Sequence, residues 1–177
     1  MKTMSTKRIY KSNLIFFAVL IFVSCKESKT EQKLSTEDIQ NSQKFDLKVG
    51  EKSLKVILAI LPEERQRGLM FVDQMESGNG MLFVFEYPSP QKFWMKNTRI
   101  PLDIGYFSPE GILKEVHAAE PFDLSGVPSN SKNIQFVLEL NKNGFRKNKI
   151  RIGDRLNLND IRNAITSRGL NPKKYQL

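Results

Sequence analysis

Between residues 44 and 158, apolar residues recur at every second position in short runs, and turn-forming residues interrupt each run before it reaches helical length. Phe45, Leu47 and Val49 alternate with polar neighbours, Gly50-Glu51 can form a two-residue turn, and Leu54, Val56, Leu58 and Ile60 alternate again, which predicts a hairpin. Met81 to Phe85 is apolar at every position, as in a strand covered on both sides. Further strands are expected near 102–107, 112–117, 134–140 and 154–158, with a turn at Pro109-Glu110-Gly111 and a loop from Pro121 to Ser131. Pro62, Glu63-Glu64 and the stop at Gly68 define one short helix, Asn143 to Lys149 a helical turn, and Asp160 a cap for a final helix carrying Ile161, Ala164 and Ile165. The expectation is a mainly β single domain over 44–177, an antiparallel sandwich or barrel-like fold with one or two short helices and a C-terminal helix.

The chain ahead of that domain reads differently. Lys2, Lys7, Arg8 and Lys11 precede ten consecutive apolar residues, Leu14 to Val23, and then Ser24-Cys25, the pattern of a secretory signal over residues 1–24. A membrane span needs about twenty apolar residues, and Lys26-Glu27 ends this run too early. Ser24-Cys25 also resembles a bacterial lipoprotein cleavage site, with Cys25 taking the lipid. Residues 26–43 are polar apart from Leu34 and Ile39, which makes 25–43 a lipidated cysteine and a flexible tether with an r.m.s. reach of roughly 20 Å. The expected location is the bacterial cell envelope, with the membrane as a partner through the anchor. Cys25 is the sole cysteine, so no internal disulfide can form. Taking the four cations before Ser24 from the 28 Lys and Arg leaves 24 against 19 Asp and Glu, so the +9 of the whole chain falls to +5.

One stretch departs from generic surface and core. Phe93 to Ile104 sets the only tryptophan, Trp94, with Met95, Lys96, Asn97, Arg99 and Asp103 between apolar residues, and ions beside that much apolar surface are costly unless paired. Asn97-Thr98 and Pro101 mark a connection between two strands. If those strands pair, Asp103 and Lys96 come into reach, with Arg99 as the rival cation. Gly105 inside the second strand signals close approach by a ligand or another backbone.

The run FWMKNTRIPLDI, preceded by ERQRGLMF at 64–71 and GMLFVF at 80–85 and followed by FVLEL at 136–140 and IGD at 152–154, resembles the domain of unknown function 192 family over residues 44 to 158. The resemblance implies a mainly β, sandwich-like, often exported domain and no activity. Its motif positions fall on Arg65, Gly68, Leu69, Met70, Gly80, Met81, Phe93 to Asn97, Pro101, Leu102, Asp103, Glu139, Gly153 and Asp154. Arg99 stands where the family commonly has an apolar residue.

Histidine occurs once, at His117, so histidine-based triads and metal clusters are excluded, and His117 reads as structural. No metal site or cofactor is expected. Met70, Met75, Met81 and Met95 suit Cu(I) in principle, but methionine more often fills core gaps. Two functions stay open. The first is a ligand- or partner-binding module using Trp94, Met95, Lys96, Asn97 and Asp103, an apolar wall beside convergent polar groups. The alternative is an envelope hydrolase using Asp103 and Lys96, with Glu139 as a second carboxylate or else as a solvated residue. From Glu139 on, ten cations face three carboxylates, which favours anionic lipid headgroups or acidic glycans; nucleic acid is not an expected partner.

Overall fold

The structure is a computed structural model and describes residues 42–177. The signal, Cys25 and nearly all of the tether lie outside the described residues. Among the described residues eight strands form a six-stranded sheet and a two-stranded ribbon. The large sheet runs β1 (Phe45–Val49), β2 (Lys52–Ala59), β3 (Asn79–Ser89), β8 (Ile134–Asn141), β5 (Leu102–Phe107) and β6 (Leu113–Ala119). The ribbon pairs β4 (Lys92–Phe93) with β7 (Val127–Pro128). The helices among the described residues are α1 (Pro62–Arg67), α2 (Gly144–Lys147) and α3 (Leu158–Ser167), followed by a short 3-10 turn, Pro172–Tyr175.

The protein is mainly β, with short helices and a C-terminal helix, as the alternation predicts. The sheet is mixed, however, and does not close into a barrel. β2 and β3 run parallel, with Val56 opposite Gly80 and Leu58 opposite Leu82. Parallel neighbours need a crossover of about a dozen residues or more, and residues 60–78 with α1 supply it. The predicted strand at 154–158 is reduced to two bridges, Val49 with Leu156 and Ile112 with Arg155, which reach both edge strands of the sheet.

Both faces of the sheet are covered. On one face Leu82, Val84, Phe136, Leu138 and Leu140 pack with Phe145, Ile161, Ala164, Ile165 and Tyr175. On the other, Met81, Phe83, Ile104, Tyr106 and Val137 pack with Leu69, Val72, Met95 and Ile100 from the loops. β8 is buried along seven of its eight positions, so alternation there separates one core from another and not core from solvent.

Caps and ion pairs lock the covering elements onto the sheet. Glu64 accepts from the Ile60 and Leu61 amides, both at 2.9 Å, and pairs with Arg168, whose guanidinium also donates to the Leu58 carbonyl at 3.0 Å. Burial raises the Glu64 pKa, but the hydrogen bond from Arg168 and the two amides outweigh it and leave it lowered. Arg65 donates to the Ile60 carbonyl and lies over the Phe85 ring, 5.2 Å from its centroid. The cap of α3 is Asn157, which accepts from the Asn159 amide at 3.0 Å, and not Asp160, whose carboxylate instead accepts from the Lys48 amide of β1 at 2.9 Å. Buried Gln135 donates to the Tyr175 carbonyl at 2.7 Å and so ties the chain's end to the centre of the sheet.

Ile165 is fully buried against the first core. Ile165→Ala is expected to cost about 2–5 kcal/mol in urea unfolding, the range for an isoleucine deleted from a packed interior. A loss within experimental error would mean that α3 is not needed to cover that face.

Candidate functional site

The connection from Trp94 to Pro101 is held by backbone hydrogen bonds on both flanks. The Phe71 amide donates to the Asn97 carbonyl at 2.8 Å, the Met95 amide to the Asp123 carbonyl at 2.9 Å, and the Phe122 amide to the Thr98 carbonyl at 3.3 Å. Within it, the Thr98 amide closes a turn on the Met95 carbonyl at 3.1 Å. Met95, Thr98 and Ile100 are buried and anchor the connection over the second core. Three residues in this junction, Phe71, Asn97 and Phe122, have left-handed backbones, with φ of 65°, 55° and 64°. Asparagine adopts that region readily; a bulky aromatic side chain does so at a cost.

The same junction presents apolar side chains to solvent. Trp94 is 49% exposed, and Phe122 and Leu124 are 61% and 66% exposed on the loop hydrogen-bonded to it. Lys96 lies over the indole with its Nζ 5.1 Å from the ring centroid, and Lys92 is also exposed. The patch thus has an aromatic and aliphatic centre rimmed by lysines.

The predicted ion pair at Asp103 is not formed with either cation. Lys96 stacks on Trp94, and Arg99 pairs with Asp73 at 2.6 Å while lying over the Phe71 ring. The physical reason is the pairing of the strands. β4 bonds to β7 in the ribbon and β5 to β6 and β8 in the large sheet, so the strands on either side of the connection are not partners. Leu102 and Ile104 face the second core, which turns Asp103 to the opposite face, in register with Leu140. Of the residues singled out by sequence, the structure therefore brings Trp94, Lys96, Met95 and Asn97 together and sets Asp103 apart from them.

Glu139 is buried and not solvated, because the face it points to is covered by the second core. It stands in register with Met81 and Ile104, on the face opposite Asp103. The sheet thus separates the two carboxylates, and they do not meet across one substrate as an acid and base pair would. No hydrogen bond or ion pair reaches the Glu139 carboxyl from the described residues, and burial pushes it up to about 8. Tyr106, on the same face, donates its hydroxyl to the Val127 carbonyl at 2.5 Å. Its pKa is raised by burial first and by the Glu139 charge second. His117 lies 2.7 Å from Glu115 and edge-on to Tyr106. Glu115 in turn caps the Asn130 and Ser131 amides, both at 3.0 Å. Met81, Met95 and Met75 gather in or against the second core. Among the described residues no cluster of three or more His, Cys, Asp or Glu side chains could hold a metal ion.

Sequence reasoning missed Phe122 and Leu124, which sit in a polar, proline-bounded loop where two apolar residues carry no periodic signal. Their proximity to Trp94 arises only from the hydrogen bonds between the two loops.

The family model DUF192, Uncharacterized ACR, matches residues 45–158. The chain is similar to a crystal structure from Sinorhizobium meliloti 1021, described provisionally as a transcription regulator, at 34% identity and a TM-score of 0.61, covering 64% of this chain and 92% of that one. It is also similar to a protein of unknown function from Novosphingobium aromaticivorans DSM 12444, at 28% identity and a TM-score of 0.62, covering 67% of this chain and 87% of that one. No curated protein matches the chain.

The Glu139 carboxyl binds its proton more tightly in the folded protein, at about 8, than at the ordinary value of 4.5 in the unfolded chain. Its contribution to stability is therefore full below pH 4.5, declines as pH rises from 4.5 to about 8, and levels off above that. Glu139→Gln should remove this decline and be more stable than the natural protein at pH 8, on the order of 2–4 kcal/mol, with a smaller difference at pH 5. Denaturant unfolding of both proteins at the two pH values reads the difference directly. An equal offset at both would mean that the carboxyl does not titrate between them.

Proposed function

Given that the chain belongs to the DUF192 family, we propose that it is a binding module of the bacterial cell envelope, tethered by a lipid on Cys25, that engages an anionic, partly apolar surface through Trp94, Phe122 and Leu124. The observation that carries this reading is the exposed apolar patch built on strained backbone. Left-handed aromatic residues cost of order 1–3 kcal/mol each, and such strain concentrates where a protein contacts something else. Here it holds Phe122 in the solvent on the loop hydrogen-bonded to the Trp94 connection. Lysines at the rim, Lys92 and Lys96, suit an anionic surface, and indole and phenyl rings suit the interface between headgroups and acyl chains. The leader and polar tether read from the sequence support a place at the membrane, where a domain on roughly 20 Å of chain meets the headgroups continuously.

Two measurements test the reading. Cys25→Ser should move the protein from the membrane fraction to the soluble fraction; unchanged fractionation would remove the anchor. Because Trp94 is the sole tryptophan, its emission reports on the patch alone. With phosphatidylglycerol vesicles the emission should shift to the blue, and Phe122→Asn should weaken the partition about tenfold, the worth of one buried aromatic side chain. The same variant should be as stable as the natural protein or up to about 1 kcal/mol more so, since asparagine tolerates φ of 64°. Emission unchanged by vesicles, or a Phe122→Asn protein that binds them as well as before, would overturn the docking face.

A further inference from the structure

A groove of about 590 Å³ lies on the side of the sheet that Asp103 faces, with β5 and β6 beneath it and the segment 145–152 as its wall. Gly105 makes the groove possible. A Cβ at that position would stand 2.3 Å from Cζ of Phe145, so the bare strand lets the ring lie on it, and Arg146 follows at the rim. The glycine that suggested approach by a ligand is thus occupied by the protein's own Phe145. Two residues earlier on the same face, Asp103 lines the groove and is only 9% exposed.

The charges around the groove are arranged for something other than one another. Arg146, Lys149 and Arg151 line it and are exposed. No cation among the described residues comes within ion-pair distance of Asp103, and no hydrogen bond reaches its carboxylate from them. Arg146 donates only to Asn143 on its own turn, at 3.2 Å. Asp154, the nearest other carboxylate along this segment, accepts from the Arg151 amide at 2.8 Å and lies against Gly50, outside the groove lining. A buried carboxylate without a partner is costly, and a bound ammonium would relieve it. Three cations against one carboxylate leave an excess of two positive charges, which suits the multiple oxygens and charges of a phosphate better than a single carboxylate. The volume is that of a small-ligand site, and Val116 and Phe145 supply an apolar wall for a short carbon link.

We propose that this groove binds a molecule joining a primary ammonium to a phosphate, with the ammonium on Asp103 and the phosphate on Arg146, Lys149 and Arg151. The site is separate from the Trp94 patch and does not rest on it. Its ligand chemistry has two sources, a free aminoalkyl phosphate and the headgroup of an aminophospholipid, and the test distinguishes them.

The full chain is titrated calorimetrically with O-phosphoethanolamine and with inorganic phosphate, and by sedimentation with phosphatidylglycerol vesicles that contain or lack phosphatidylethanolamine. Tenfold or greater preference for O-phosphoethanolamine over inorganic phosphate identifies a free ligand. A comparable gain only on adding phosphatidylethanolamine to the vesicles identifies the lipid headgroup. In either case Asp103→Asn, which breaks no ion pair and should keep or raise its thermal midpoint, loses the preference while retaining the weaker binding of phosphate. Arg146→Gln combined with Lys149→Gln, two exposed positions whose loss leaves the core intact, weakens both forms at least tenfold and serves if Asp103→Asn does not fold. Equal affinity for O-phosphoethanolamine and phosphate together with no effect of phosphatidylethanolamine overturns the proposal. So does a preference that survives Asp103→Asn or the double variant.

Discussion

Double burial of the central strands sets the terms for every polar side chain on this sheet. Gly80–Val84 of β3 and Ile134–Leu140 of β8 are buried on both faces, which leaves a charged group there little solvent and no counter-ion. Each exception is handled differently. Gln135 finds backbone carbonyls, the Tyr106 hydroxyl finds Val127, and Glu139 finds nothing and holds its proton instead. Asp103, at the start of the neighbouring strand, instead faces a groove.

The two loops over the second core follow a different rule. Their apolar side chains Met95 and Ile100 go inward and fix the connection, and the backbone hydrogen bonds to Phe71, Phe122 and Asp123 then leave Trp94 no route into the interior. A stable sheet beneath makes this arrangement tolerable. Strained residues on a weak scaffold would relax, whereas here the flanking hydrogen bonds hold left-handed aromatics in place.

Much of the strand order along the chain was legible from alternation and turn residues, and the hairpin at Gly50-Glu51 and the helix between Pro62 and Gly68 stand where the pattern put them. Direction was not legible, since a parallel strand and an antiparallel one carry the same alternation; only the crossover through α1 makes β2 and β3 parallel. The same blindness misled the reading of Asp103 with Lys96, because residues adjacent across a connection meet only if their strands pair. Glu139 shows a further limit. A polar residue in an alternating strand implies a wet face only when that face is open, and what closes this one is the distant loop segments carrying Leu69, Val72 and Met95. The cap of α3 turned on a choice between Asn157 and Asp160, both acceptable in type, which the reach to Lys48 of β1 decides.

The bridges made by Arg155 and Leu156 have a consequence beyond local order. Hydrogen bonds run from the Gly50 amide to the Arg155 carbonyl and from the Asn157 amide to the Lys48 carbonyl on one side. On the other, the Leu113 amide bonds the Asp154 carbonyl and the Leu156 amide the Gly111 carbonyl. The two outermost strands of an open sheet are the places where a second molecule could add a strand of its own. In this protein a single short segment occupies one end of each, so those ends are closed to an added strand although the sheet does not close into a barrel.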